Sequence, residues 1–92
     1  MIIRIMGDGQ YKIDSRILDD LNTIDNRIMD HVSKGDRKAY KEDLSMLIAR
    51  IKDKGAPLDP TFLGASDIII PPEDLSFEEA RNIFSGQGLI EG

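Results

Sequence analysis

From Ile17 to Ile51 apolar residues recur at helical spacing, and one Gly-Asp step, Gly35-Asp36, interrupts them. Ile17, Leu21, Ile24, Ile28 and Val32 lie four, three, four and four residues apart, which puts them on one stripe of an α-helix. Leu18 and Met29 widen that stripe. Tyr40, Leu44, Leu47, Ile48 and Ile51 form a second one. Asp14 or Ser15 can cap the first helix, and Asp19 and Asp20 suit the positive end of its dipole. Gly35 stops it, Asp36 caps the next helix, and Lys52, Lys54 and Gly55 close that one. Helices joined by so short a step must fold back, so an antiparallel αα-hairpin is expected. At ~1.5 Å per residue, each helix is about 27–30 Å long.

The flanks read as strands. Met1 to Met6 is apolar apart from Arg4, Gly7-Asp8-Gly9-Gln10 bounds it, and Tyr11-Lys12-Ile13 alternates. Residues 1–14 are therefore expected to form a β-hairpin, with Asp8-Gly9 supplying the positive φ of the turn. Ala56 to Ser66 is broken by Pro57, Asp59-Pro60 and Gly64 and reads as a loop, in which Asp59-Pro60 suits a single helical turn. Ile68-Ile69-Ile70 is β-branched throughout and reads as a third strand covered on both faces, with Pro71-Pro72 ending its pairing. Ser76-Phe77-Glu78-Glu79 is a capping box for a short helix with Phe77, Ala80, Ile83 and Phe84 on one side. Gly86 and Gly88 stop it, and Leu89-Ile90 has room for a last edge strand. The expected architecture is α+β, a small single domain over residues 1–92 in the order ββααβα.

Fourteen isoleucines and few aromatics make the expected core aliphatic. The chain has no cysteine, which excludes disulfides and thiolate chemistry. The longest apolar run falls far short of the ~20 residues of a membrane helix. The start, Met1-Ile2-Ile3-Arg4-Ile5-Met6, has neither the basic leader nor the small-residue cleavage site of a signal peptide, so a cytoplasmic protein is expected. The net charge is −5, which disfavours nucleic acid as the main partner. Its distribution is uneven. Residues 34–54 hold seven basic and four acidic groups, giving +3, and residues 55–92 hold one basic and seven acidic groups, giving −6.

No residue pattern points to catalysis. His31, the lone histidine, stands between the stripe residues Ile28 and Val32 near a helix end, where dipole compensation or packing explains it. The pairs Asp19/Asp20, Glu73/Asp74 and Glu78/Glu79 point about 100° apart on a helix and do not converge. Gly7-Asp8-Gly9 lacks the further glycines and the following helix of a phosphate loop. No metal site or cofactor is expected. The basic helix 36–54 offers Arg37, Lys38 and Lys41 to an anionic lipid surface or nucleic acid, although Asp36, Glu42, Asp43 and Asp53 dilute its field. The sheet offers apolar surface instead. One helical hairpin covers one face and leaves the short helix at 76–85 for the other. Either a partner shares what remains, or the loop 56–66 fills it with Leu58, Phe62 and Leu63.

Met1 through Tyr11, Leu21-Asn22 and Ile24-Asp25, Gly55-x-Pro57-Leu58, Ser66 through Pro72 and Gly88-Leu89-Ile90 occur in one collinear order. Together they resemble the PspA-associated family, PspAA, over almost the full length. Glu91 stands where that family has proline after Gly-Leu-Ile, and Asp8 where it has glutamate. The resemblance implies a cytoplasmic accessory protein, membrane-peripheral only through a partner. That partner is PspA, a long helical protein of the phage-shock envelope-stress response that polymerises on membranes. No catalytic or cofactor residue comes with the resemblance. The expected docking segment is the sheet edge with residues 67–90, meeting a helix of PspA or a second copy of the chain. Asp67, Pro71, Pro72, Phe77, Phe84, Leu89 and Ile90 are its expected contacts.

Overall fold

The computed structural model describes residues 1–62 and 64–84. Strand β1 (Ile2–Ile5) pairs antiparallel with β2 (Gly9–Lys12), setting Ile3 opposite Tyr11 and Ile5 opposite Gly9. The hairpin is as expected, but its turn is not. Because Gly9 is already paired, residues 6–8 make the turn, and Gly7 carries the positive φ of 82° that L side chains resist.

Asp14 accepts from the Arg16 amide at 2.9 Å and opens a 3₁₀ turn, Ser15–Ile17, that runs into α1 (Leu18–Lys34). Asp36 accepts from the Ala39 amide at 3.1 Å and caps α2 (Arg37–Lys54). Leu21, Ile24, Ile28 and Val32 of α1 are buried with Tyr40, Leu44, Leu47, Ile48 and Ile51 of α2. Each full burial of such a side chain contributes roughly 1.5–3 kcal/mol, which suffices to hold the two helices together.

Ala56–Pro57 is not loop, as the prolines had implied, but a short strand, β3, beside β2, with Pro57 opposite Tyr11. Proline is tolerated there because β3 is an edge. Strand β4 (Ile68–Ile70) runs parallel to β1 with Ile68 opposite Ile3 and Ile70 opposite Ile5. The four strands form one mixed sheet in the order β3-β2-β1-β4. Ile3, Ile5, Ile13 and Ile70 join the helical stripes in one core, so the helices lie on the inner face of the sheet. The architecture is the α+β one expected from the sequence.

Two expectations about the far face fail. β4 is covered on one face only: Ile70 is buried, while Ile69 points away and is 55% exposed. Helix α3 (Phe77–Ile83) does not cross to the outer face. Phe77, Ala80 and Phe84 join the same core as α1 and α2, while Ile83 turns outward. Short as it is, α3 contributes more by completing the existing core than by starting a second one. Its cap forms with a changed partner: Ser76 Oγ accepts from the Glu79 amide at 3.1 Å and donates to the Glu79 carboxylate at 3.0 Å. The strand expected at Leu89-Ile90 lies outside the described residues.

Candidate functional site

The outer face of the sheet takes alternate residues of each strand: Ile2 and Arg4 from β1, Gln10 and Lys12 from β2, and Ile69 from β4. The connection from β3 to β4 joins opposite edges of the sheet and passes over this face at Gln10. Its path is fixed by Gln10. The Leu58 amide donates to the Gln10 carbonyl at 2.9 Å, and Gln10 Nε2 donates to the Gly64 carbonyl at 3.1 Å and to Ser66 Oγ at 2.8 Å. Gln10 is only 8% exposed as a result. The loop therefore covers the β2 half of the face. Over β1 and β4 the face stays open, with Ile69 55% exposed. Of the loop residues expected to fill this face, Leu58 is half-buried, Phe62 is 37% exposed, and Leu63 lies outside the described residues.

Asp67, an expected contact, acts as a clamp. Its amide donates to the Ile2 carbonyl at 2.8 Å, and its carboxylate accepts from the Ile2 amide at 2.8 Å, which fixes the start of β4 against β1. Pro71 is buried and Pro72 half-buried, and the Pro72 carbonyl accepts from the Leu75 amide at 3.0 Å in the turn toward α3. Phe77 and Phe84 are 6% and 3% exposed. Packed so deeply, they are not surface anchors, and their contribution is to the core. Leu89 and Ile90 lie outside the described residues.

The basic residues separate into two groups. Arg37 lies 4.7 Å from the Phe77 ring centroid and 2.6 Å from the Glu78 carboxylate, which its guanidinium holds below the usual carboxylate range. Arg50 pairs with Asp20, and Lys52 lies 2.5 Å from Asp8. Lys52, and then the Tyr11 hydroxyl at 2.8 Å, hold the Asp8 carboxyl low. Lys38 and Lys41 are exposed beside Asp74 and Ser76 and have no polar partner among the described residues. The helix thus keeps few of its cations for an external anion.

One polar cluster escaped the sequence reading. The Asp43 side chain is 3% exposed and lies 2.5 Å from His31 Nδ1 and 3.3 Å from the Arg27 guanidinium, tying α2 to α1. Asp25 is fully buried as well. Position 43 is three after Tyr40 and four before Leu47, and position 25 is four after Leu21 and three before Ile28. Both sit on the apolar stripes, so position alone signals their burial, while residue type argues against it. No group of three histidine, aspartate or glutamate side chains among the described residues is arranged to hold a metal ion. No helix among them is long and apolar enough to cross a membrane.

No curated protein and no solved structure matches the chain. A family model does, over residues 1–92, and its description is PspA-Associated protein. With the match running the whole length of the sequence, through the clamp at Asp67 and the open strands β1 and β4, the chain belongs to the PspAA family.

Proposed function

We propose that this chain is a non-enzymatic accessory protein that docks on PspA, or on a related helical protein, in the membrane-stress response. The docking surface is the open half of the outer sheet face, over β1 and β4. One observation carries this reading: Ile69 stands 55% exposed on that face, while the described helices α1, α2 and α3 pack on the other side. Covering an isoleucine exposed on the edge strand β4 is favourable by roughly 25 cal/mol per Å² of apolar surface removed from water. The family description supplies the kind of partner. The chain works at the cytoplasmic side and reaches the membrane through that partner. An anionic lipid or nucleic acid on helix α2 is the weaker reading, because Arg37, Arg50 and Lys52 are committed to Glu78, Asp20 and Asp8.

Titration of purified PspA by calorimetry tests the assignment. Saturable binding at micromolar concentration is expected for the wild type and its loss for Ile69→Lys, with the thermal melt of the free variant unchanged. Equal affinity for Ile69→Lys and wild type would remove the open face from the proposal. Absence of saturable binding by the wild type would remove PspA.

A further inference from the structure

The open face is not electrically neutral. Arg4 lies between Gln10 and Ile69 in the register, where the open half borders the hollow lined by Pro57, Leu58 and Asp59 of the loop, and Lys12, exposed on β2 at the rim of the open half, lies beside Ile2. Neighbouring strands are ~4.8 Å apart, so each cation stands directly against an apolar side chain. Both are exposed, and neither has an ion-pair or hydrogen-bond partner among the described residues. The acids that could have served them are engaged elsewhere. Asp8 holds Lys52 and Tyr11, Asp67 holds the Ile2 amide, and Asp59 accepts from the Thr61 amide and hydroxyl. A chain of net charge −5 thus leaves two unmatched positive charges on the surface where its apolar residues are most exposed.

We infer that the segment this face receives is an amphipathic helix whose apolar stripe is flanked by acidic side chains. The stripe covers Ile2 and Ile69, and the acids pair with Arg4 and Lys12. This rests on the reading of the open face as the docking surface. A helix is about 10–12 Å across, enough to span two strand spacings at once. The guanidinium of Arg4 offers a planar fork that matches a carboxylate, which fixes the register of the partner as well as its sign. Charge also argues against the alternatives. A second copy meeting face to face would set Arg4 and Lys12 against their own counterparts, and like charges at an interface oppose association. A lipid surface calls for clusters of roughly 4–8 cations, and this face has two.

The experiment compares wild type, Ile69→Lys and the double variant Arg4→Glu/Lys12→Glu, each shown by circular dichroism to melt normally. Each is titrated with purified PspA at low and at high salt, sedimented alone, and mixed with vesicles of zwitterionic and anionic lipid. Wild-type affinity is expected to weaken as salt rises. The double variant is expected to bind about tenfold more weakly at low salt and to lose that salt dependence. If Ile69→Lys abolishes binding and the double variant keeps wild-type affinity, the acidic helix is overturned and the docking face stands. If Ile69→Lys binds as well as wild type, the docking face itself falls and the inference with it. Dimers that Ile69→Lys dissolves would show that a second copy occupies the face. Vesicle binding that the double variant loses, without PspA binding, would show a membrane there; either result overturns the acidic helix.

Discussion

Tyr40 shows how much one side chain of this fold has to satisfy at once. Its ring is fully buried and meets Phe77 edge to face, with centroids 5.9 Å apart, and its hydroxyl donates to the Leu75 carbonyl at 2.8 Å. It therefore joins α2 to the turn before α3 and to α3 itself. Burial, and then the Glu79 carboxylate, push the phenol up to about 12 from an ordinary value of 10.0. An unfolded chain releases this proton near pH 10, whereas the folded chain holds it until about pH 12. The raised value leaves stability intact below pH 10 and removes it as pH rises from 10 toward 12. Tyr40→Phe should remove most of that alkaline decline, leaving the part owed to Tyr11, whose phenol the Asp8 carboxylate also raises. At neutral pH the same variant strands a buried carbonyl, which costs about 1–3 kcal/mol. Urea melts at pH 7 and pH 11 check both effects. A variant that matches wild type at pH 7 and declines as steeply above pH 10 would contradict the assignment.

At the level of elements, the junction from α2 to β3 leaves no room for a side chain. A Cβ on Gly55 would lie 2.6 Å from Ile13 Cδ1 and 2.6 Å from the Ile51 carbonyl oxygen. The isoleucine tip can rotate, but the oxygen cannot move freely. It accepts the Gly55 amide at 2.8 Å and closes the last turn of α2. Gly55→Ala should therefore destabilise by about 1–3 kcal/mol, the usual range for overpacking. Gly9→Ala, with nothing within 4 Å of the added carbon, should change stability by less than about 0.5 kcal/mol. Equal melting temperatures for the two variants would refute the close approach. These junctions divide what the sequence shows from what it hides. Helices α1 and α2 were legible because each repeats its apolar spacing over about three to four turns and ends in a glycine. β3 was not, because two residues carry no period and one of them is proline. α3 was legible as a helix through Ser76 and Glu79, but its address was not, because a seven-residue amphipathic stripe fits either face of a sheet.

Over the whole molecule, the basic block on α2 is neutralised by acids from three separate parts of the chain, only one of them in the acidic block. Lys52 reaches Asp8 in the hairpin turn, Arg50 reaches Asp20 on α1, and Arg37 reaches Glu78 on α3. The sequence showed the two blocks but not their use, since only the fold brings residue 8 beside residue 52 and residue 37 beside residue 78. For the same reason the open face was half legible. Alternation in Ile2–Met6 and in Ile68–Ile70 marks the outward residues, but which of them the loop covers depends on Gln10 meeting Gly64 and Ser66. Acid should undo the charge network in a definite order. Asp8 and Glu78 are held below their ordinary values of 3.8 and 4.5, so the unfolded state takes up protons first as pH falls. Their contribution is complete above those ordinary values and disappears as pH drops through the lower folded ones. Stability measured by urea melts should fall below about pH 4, and fall less in Lys52→Met/Arg37→Met, which starts lower and has less to lose. High salt should shrink the difference between that variant and wild type at neutral pH, because all these pairs are solvent-accessible. An acid decline as steep in the double variant as in wild type would place the acid-sensitive contacts elsewhere than at the ends of α2.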